Sequence, residues 1–381
     1  MQKKIIALAV ASALAVPAVA MAEATVYGQM NMAYEVVDNG ADTTEVGTSA
    51  DSTNNVSSNK SRLGFKGSED LGSGMTFLWQ MEGQVDGDTG SSTKLFKRNT
   101  FAGLSNEYGT VILGNHDTPY KMASGKTNVF KDTIADNRAI MGGAGAHEAR
   151  LSDVAAYISP DFNGFNFAVA YVGKTDNSLA VKLFPHATVA GATSLSATTV
   201  LSATSISGNY SRDNYTVSVA NQTISLKNSG LSTEDGDATA TKLAGTYSID
   251  MLTVGLVYEM LENKVGGSKE EGDNIYVSAK YKVSDKGTVK FGYTSAGEGK
   301  DATGATNKGA GATQTSIGYS HKLTDNTSVY ALYTTIDNDL DAATTNGATY
   351  GLGKAGSTAG FATAGAGEDP NAVAIGMRMS F

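Results

Sequence analysis

Apolar side chains occupy every second position of the last eleven residues, NAVAIGMRMSF. One parity holds Val373, Ile375, Met377, Met379 and Phe381, and the other holds small, polar or basic residues. Successive side chains of a β-strand point to opposite faces of the sheet, so this segment predicts a strand with one wholly apolar face. That face needs an apolar neighbour along its whole length, and this requirement restricts the possible folds.

The same alternation recurs in four other segments, at 165–172, 252–260, 275–283 and 289–294. Each fits the roughly nine to eleven residues with which a tilted strand crosses a bilayer. Charged side chains occur on only one of the two faces. In SVYALYTTI, from Ser328, the rings of Tyr330 and Tyr333 have opposite parity, so the faces of that segment are not assigned.

Sixteen strand-like runs can be counted along the chain. They lie near residues 24–37, 60–69, 74–86, 96–106, 109–117, 150–160, 164–174, 203–211, 214–226, 239–249, 251–263, 273–283, 287–298, 312–323, 326–338 and 371–381. The number is even, so both ends of a closed antiparallel sheet would emerge on the same side.

The links between these runs alternate in length. Seven are tight and rich in Asp, Asn, Gly and Ser, which tolerate turn dihedrals, and eight are longer, polar and of low complexity. Outer-membrane barrels show this asymmetry, with short periplasmic turns and long extracellular loops. A sheet in hydrocarbon must also close, which makes the first and last strands natural partners. The alternative, a large secreted β-sandwich, would need another explanation for the asymmetry.

Residues 1–22 have the features of a signal peptide. Lys3 and Lys4 precede an apolar stretch, and Ala20-Met21-Ala22 forms an A-x-A cleavage site. The mature domain is therefore expected to be residues 23–381, in which 27 basic and 38 acidic residues give a net charge of -11. This acidity does not favour nucleic-acid binding. The chain has no cysteine, which excludes disulfides and thiol chemistry, and no further apolar run is long enough for a membrane helix.

Five segments together resemble the Gram-negative general diffusion porins: ATVYGQMNMAYE, SRLGFKGSEDLGSGMTFLWQMEG, RNTFAGLSNEYGTVILGN, FNGFNFAVAYVG and the final MRMSF. The resemblance covers essentially the whole mature chain. It implies an all-β fold, a 16-stranded antiparallel transmembrane barrel whose water-filled pore is narrowed by an inward-folded third loop. It also implies a homotrimer in the outer membrane, in contact with lipid and lipopolysaccharide, that passes ions and small hydrophilic solutes. In such a protein Phe381 forms part of a signal read by the barrel assembly machinery.

Parity and the resemblance together suggest a charged constriction. Arg62, Lys66 and Arg98 share the polar parity of their strands, and Arg150 matches a basic wall position of similar porins. The segment from Asn115 to about Arg150 fits the inward loop. The acids expected to face the basic wall are Asp117, Asp132, Asp136 and Glu148. Facing rows of opposite charge would set up a transverse field that orients dipolar solutes and disfavours apolar ones.

The chain departs from the enteric porins in lacking a Pro-Glu-Phe-Gly-Gly loop tip, where it has IMGGAGAHE instead. The path of its loop and the identity of the facing acids are therefore open at this stage. Between residues 118 and 150, five basic residues stand against three acidic ones. Ion preference consequently cannot be taken from the acidic total.

Catalytic and metal-binding functions find little support. The four histidines are scattered, and none lies in an H-E-x-x-H motif, so no catalytic residue, metal site or cofactor is expected. Three other functions are open to test. They are a hydrolase barrel using Ser and His, a plugged barrel serving as an adhesin or phage receptor, and a channel selective for one solute.

Overall fold

The computed structural model describes residues 23–40, 52–90, 96–142, 147–175, 199–228, 235–265, 268–301, 303–343, 346–353 and 364–381. The expected signal peptide, residues 1–22, lies outside these ranges. Within them, regular structure other than strand consists of the helix α1 (Pro119–Ala123), a 3-10 helix (Asn137–Ala139) and helical residues at 141–142. No helix among these residues has the length and apolar character needed to span a membrane.

The strands follow one another along the chain. They are β1 (Glu23–Asp38), β2 (Ser52–Ser58), β3 (Arg62–Gly72), β4 (Met75–Gln84), β5 (Thr100–Asn106), β6 (Gly109–Asp117), β7 (Arg150–Ile158), β8 (Phe165–Thr175), β9 (Thr199–Arg212), β10 (Tyr215–Asn228), β11 (Gly236–Ile249), β12 (Leu252–Val265), β13 (Ser268–Lys282), β14 (Gly287–Ala296), β15 (Ala312–Lys322), β16 (Thr327–Asn338), β17 (Leu340–Asp341), β18 (Asn346–Gly347) and β19 (Asn371–Ser380).

The main sheet closes on itself. β1 pairs antiparallel with β19, in a register that runs from Gln29 opposite Ser380 to Asp38 opposite Asn371. On its other edge β1 pairs with β2 and β3 in turn, so these two share one position in the wall, interrupted at residues 59–61. β17 and β18 form a separate hairpin. The barrel therefore has sixteen strand positions, which confirms the fold predicted from the sequence.

The two faces of the wall differ as the alternation predicts. On β19, Ile375 and Met377 are 64% and 63% exposed, whereas Ala372 and Ala374 are each 1% exposed. Exposed apolar residues of the same kind occur around the described wall, from Val26 on β1 to Val329 on β16. A predominantly apolar outer surface suits contact with lipid, although polar residues such as Asn221 and Thr315 share its parity.

The structure also assigns the faces of β16. Val329, Ala331 and Tyr333 lie opposite Met377, Ile375 and Val373 of β19, so they belong to the outer face. Tyr330 points inward and its hydroxyl donates a hydrogen bond to Asn31 Oδ1 at 3.0 Å. Parity alone could not settle this point, because a tyrosine ring suits a lipid interface and a polar interior equally.

Short and longer connections alternate for most of the chain. The seven short ones, of two to six residues, follow β3, β5, β7, β9, β11, β13 and β15 and lie at the same end of the barrel, here called the turn end. Asp213 and Asp250 adopt positive φ angles of 43° and 50° in two of them. Aspartate tolerates this conformation better than most residues because its side chain bonds locally.

Two segments predicted as loops contain strand. The segment Ser52–Ser58, assigned to a loop from sequence, forms β2. β12 and β13 extend until only residues 266–267 separate them. In this extension Lys269 pairs across the strands with Glu262 at 2.8 Å, while Lys264 pairs with Glu262 at 2.6 Å and Lys269 with Glu271 at 2.7 Å within their own strands. In the sequence these charged residues resemble a solvated loop. Like charges lie directly opposite each other here, Glu262 with Glu271 and Lys264 with Lys269, but the diagonal pair of Lys269 and Glu262 links the two strands.

Glycines receive aromatic rings from the neighbouring strand at four places around the closure of the barrel. Phe381 lies against Gly28, with Gly28 N donating to Phe381 O at 2.9 Å and Phe381 N donating to Gly28 O at 3.1 Å. In the other three pairs, the ring of Tyr27 lies over Gly64, that of Trp79 over Gly67 and that of Tyr330 over Gly376. A Cβ at any of these glycines would overlap its ring, so the pairs require glycine.

An apolar cluster, here called the inner cluster, covers the lumen side of one part of the wall. Its larger members come from the wall strands (Val37, Leu332, Ile336), from the segment 118–149 (Phe130, Ile134, Ile140) and from the segment 346–353 (Tyr350, Leu352). Leu352 is fully buried, and Gly353 N donates to Ile134 O at 3.0 Å. The described part of the last long connection therefore packs inward on the third one, although its composition predicts a polar outer loop.

Candidate pore constriction

The segment 118–149 follows β6 and enters the barrel through α1. Thr118 caps this helix, since its hydroxyl accepts a hydrogen bond from Lys121 N at 3.3 Å, and Pro119 suits the first helical turn. Asp136 caps the 3-10 helix in the same way, accepting from Arg138 N at 3.1 Å. Short polar side chains thus define both turns of the described part of the segment.

Wall residues hold this segment from the far side of the barrel. Ser278 Oγ donates to Thr127 O at 2.8 Å, and Asn31 Nδ2 donates to Asp132 O at 2.6 Å. Arg378 Nη2 donates to Lys131 O at 2.9 Å and to Asp132 O at 3.1 Å. Because these donors come from β13, β1 and β19, the segment crosses the lumen rather than extending outward.

A buried ionic network fixes the two ends of the segment to β11 and β12. Lys242 Nζ lies 2.6 Å from Glu148 Oε1 and 3.7 Å from Glu259 Oε1, and 4.0 Å from the centre of the Tyr120 ring. Glu259 also accepts hydrogen bonds from the Tyr120 hydroxyl and from Gly142 N. Removing one partner of a buried pair costs about 3–5 kcal/mol, so this network strongly favours the inward path.

His147 lies beside this network and is almost fully buried. Burial and the nearby positive charge of Lys242 together lower the pKa of His147 to about 3. Gln222 Nε2 lies 3.2 Å from its Nδ1. The imidazole is therefore neutral near pH 7 and makes a structural contact there.

Two arginines of the wall converge on one glutamate. Arg98 Nε lies 2.5 Å from Glu82 Oε1, and Arg62 Nε lies 3.9 Å from Glu82 Oε2. The hydroxyl of Tyr27 donates to the same carboxylate at 3.0 Å, and Lys66 Nζ lies 5.4 Å from the centre of the Tyr27 ring. These five residues, from β1, β3, β4 and the chain just before β5, form one polar patch on the lumen side.

Arg150 belongs to a second charged group, at the entrance to the inward segment. Its Nη2 lies 3.1 Å from Asp117 Oδ1, and the same oxygen lies 2.5 Å from Lys121 Nζ. Arg150 Nε also donates to Asn99 Oδ1 at 2.5 Å. One carboxylate therefore serves two cations, and the group carries a net positive charge.

Asp132 and Asp136 meet Arg138 within the segment. Arg138 donates to Asp136 through Nε at 2.8 Å and through Nη2, and Arg138 Nη2 lies 3.4 Å from Asp132 Oδ1. Arg62 Nη1 of the wall lies 3.1 Å from Asp132 Oδ2. Burial raises the pKa of Asp132, but Arg138 and Arg62 outweigh it, so the pKa lies below its usual value.

A cavity of about 320 Å³ lies between these groups. Wall residues Asn99, His116 and Asp117 border it on one side, and Lys121, Lys131 and Arg138 of the inward segment border it on the other. The lining mixes these basic side chains with the carboxylates of Asp117 and Glu148 and with the apolar Met122, Met141 and Val257. In the described part of the chain, no three His, Asp or Glu side chains are grouped so that they could hold a metal ion.

A family model described as Gram-negative porin matches residues 7–342. The chain belongs to the Gram-negative porin family. Major outer membrane protein P.IB of Neisseria gonorrhoeae is 32% identical to this porin over 179 residues, which are 47% of this chain and 50% of the relative. Outer membrane porin protein 32 of Delftia acidovorans is 34% identical over 181 residues, which are 45% and 49% of the two chains. The chain thus spans about half the length of the curated relatives it matches.

Solved porin structures share the fold over nearly the whole chain. The anion-selective porin from Comamonas acidovorans superposes with a TM-score of 0.73 at 23% identity, covering 95% of this porin and 100% of that chain. The trimer form of OmpT from Vibrio cholerae superposes with a TM-score of 0.67 at 18% identity, covering 94% and 99%. The predicted family, the barrel fold and the outer-membrane location are confirmed by these comparisons together.

The structure brings some of the predicted site residues of this porin together. Arg62 meets Asp132, and Arg150 meets Asp117, at 3.1 Å in both cases. Asp136 and Glu148 are nearly fully buried and bonded to Arg138 and Lys242, which are basic residues other than those predicted. Arg98 meets Glu82, and Lys66 lies near the Tyr27 ring, so neither contacts a predicted acid.

Sequence reasoning missed Glu82, Lys121, Arg138, Lys242 and Glu259 as partners. Parity could have found Glu82, because Phe77, Trp79 and Met81 have the apolar parity of β4. It could also have placed Lys242 and Glu259 together, since they are opposite each other on β11 and β12. Nothing in the strand pattern predicts that the inward segment covers this pair.

Proposed function

We propose that this porin forms a water-filled channel for the passive diffusion of ions and small hydrophilic solutes across the outer membrane. The proposal depends on one observation, a closed barrel that is apolar outside and lined by charged groups within. Hydrocarbon outside and water inside account for both faces at once. The proposal includes no catalytic role and no cofactor.

We further propose that the narrowest part of the pore lies where the inward segment faces the basic wall. The basic side would consist of Arg62, Lys66, Arg98 and Arg150, and the acidic side of Asp117, Asp132, Asp136 and Glu148. The contacts of Arg62 with Asp132 and of Arg150 with Asp117 support this arrangement. The burial of Asp136 and Glu148 suggests that they act by shaping the segment rather than by touching solute.

The assembled state is part of the same proposal. OmpT, a structural neighbour, is described in a trimer form, and we infer a homotrimer here also. We also infer that residues 1–22 are removed and that the barrel assembly machinery recognises Phe381. The apolar outer face would then contact lipid and lipopolysaccharide. The exposure of Phe381 on the outer face, at 54%, is compatible with such reading.

Planar-bilayer recording tests the channel function directly. The purified, detergent-extracted protein should add conductance in uniform steps, and liposomes containing it should swell in small sugars faster than in large ones. Correctly folded protein that gives neither steps nor swelling would exclude the channel. Attachment of cells or phage through the outer loops, without solute uptake, would instead favour the receptor function.

A further inference from the structure

Three basic side chains lie beside the part of the inward segment that faces the turn end of the barrel. They are Lys280 of β13, Lys290 of β14 and Arg378 of β19. Lys280 follows the inward parity of the buried Tyr276 and Ser278, and Lys290 shares the parity of the buried Thr294. We call this group the basic patch.

Two of these lysines lie directly opposite each other. Lys280 and Lys290 are register partners in the antiparallel pair of β13 and β14. Side chains at such positions have their Cβ atoms only about 5 Å apart, and like charges there destabilise the sheet. Arg378 and Lys280 are both close enough to Lys290 to repel its positive charge.

The inward segment packs beside the patch. The Phe130 ring covers Gly292 and Gly318, so that a Cβ at Gly318 would lie 3.0 Å from the ring. Gly318 is also the register partner of Lys290. Since Arg378 holds the carbonyls of Lys131 and Asp132, the chain beyond Phe130 lies between the β14 and β19 cations.

No carboxylate compensates the patch among the residues that the structure describes. None of its three members forms an ion pair there. Asp132, whose carbonyl Arg378 binds, has its carboxylate between Arg62 and Arg138. The patch is therefore an uncompensated positive site inside a chain whose formal net charge is -9.

We propose that the basic patch binds small oxyanions, which carry phosphate or carboxylate groups, as they pass through the barrel. Ammonium and guanidinium groups at this spacing are the donors that such anions prefer, and a bound anion would relieve the repulsion between Lys280 and Lys290. This inference rests on the proposed channel function. It makes the patch a specificity element on the turn side of the constriction.

Inorganic phosphate added to one side of a bilayer tests the site. Phosphate on the turn side should reduce the chloride current in a saturable manner and at lower concentration than phosphate on the other side. The double variant Lys280→Gln/Lys290→Gln should shift this half-blocking concentration upward. The pair Lys280→Arg/Lys290→Arg, which keeps the charge, should preserve the block.

Lys286→Gln/Lys322→Gln is the matched control, because it removes two exposed lysines at the same end of the barrel. Phosphate should block the chloride current of this variant at the same concentration as in the parent. Parent channels that conduct chloride but show no saturable block, or a block unchanged in the Gln pair, would overturn the inference and leave the channel function intact. A parent that forms no channels would refute the channel function itself. Loss of block in both the Gln and the Arg pairs would overturn the inference of an oxyanion site, since that result indicates a packing effect.

Discussion

Truncating Leu352 should loosen the segment 346–353 from the inward segment and widen the pore. Leu352 is fully buried in the inner cluster, beside Ile134 and Ile140. Leu352→Ala keeps the backbone and the hydrogen bond from Gly353 N to Ile134 O, and removes only packing. The substitution therefore isolates the apolar contribution to docking.

The size of the effect follows from burial. Leu→Ala in a packed core costs about 2–5 kcal/mol, and a segment that can move away should lie near the lower value. About 2 kcal/mol corresponds to a roughly 30-fold change in the equilibrium between docked and undocked segment, since about 1.4 kcal/mol is tenfold. An undocked state too rare to see in the parent should then become visible as a larger conductance level.

Single-channel recording and liposome swelling measure the consequence. Leu352→Ala should show more frequent large openings and admit larger sugars than the parent. Leu340→Ala is the matched control in the same connection, because Leu340 is 53% exposed. The reasoning is refuted if both variants keep the conductance and the size limit of the parent, because the segment would then not limit the open pore.

Three further substitutions test the charged groups. Arg98→Ala should shift the reversal potential in a salt gradient towards cation selectivity, because a positive charge leaves the proposed throat. Lys242→Met should lower the free energy of unfolding by about 3–5 kcal/mol, because two buried carboxylates lose their cation. Asp132→Asn should be less stable than the parent at pH 7. The pKa of Asp132 is depressed, so its ion pairs stabilise fully above the unfolded value of about 3.9 and weaken as the pH falls through the lower folded value.

Exposed residues of the same type provide the controls. Arg212→Ala, Lys264→Met and Asp213→Asn change side chains that are 56%, 59% and 85% exposed. They should leave selectivity and stability near those of the parent. An unchanged reversal potential would remove Arg98 from the throat, and thermal unfolding of Lys242→Met at the parent temperature would show that the network does not hold the segment. A stability loss in Asp132→Asn that persists undiminished at pH 3 would contradict the pairing of its carboxylate.

The barrel could be predicted from sequence because the membrane imposes a repeated local rule. Every strand must alternate, so errors at single positions, such as Tyr330, do not change the count. Strand ends were harder to place, because β2 and the extension of β12 lie where polar residues pair with each other. At these places a solvated loop and a pair of polar strands have the same sequence pattern, so the pattern cannot distinguish them.

The charged groups of the site were predictable in part for a similar reason. Parity places Arg62 and Arg98 in the lumen, but the choice of partner depends on how the inward segment crosses it. Glu148 meets Lys242 at a sequence separation of 94 residues, and Tyr350 packs in the same cluster as Ile134 through contacts that no strand pattern contains. Long-range packing of irregular segments is therefore the part that sequence periodicity cannot supply.

The pairing of β1 with β19 has a consequence for the order of events during biogenesis. The wall cannot be completed until the strand synthesised last has met the strand synthesised first. Until then two edges carry unpaired N–H and C=O groups, which invite pairing with any other extended chain. The slowest and most vulnerable stage of assembly should thus be barrel closure. Bringing β1 and β19 together early would shorten that stage more than stabilising any hairpin in the chain between these two strands.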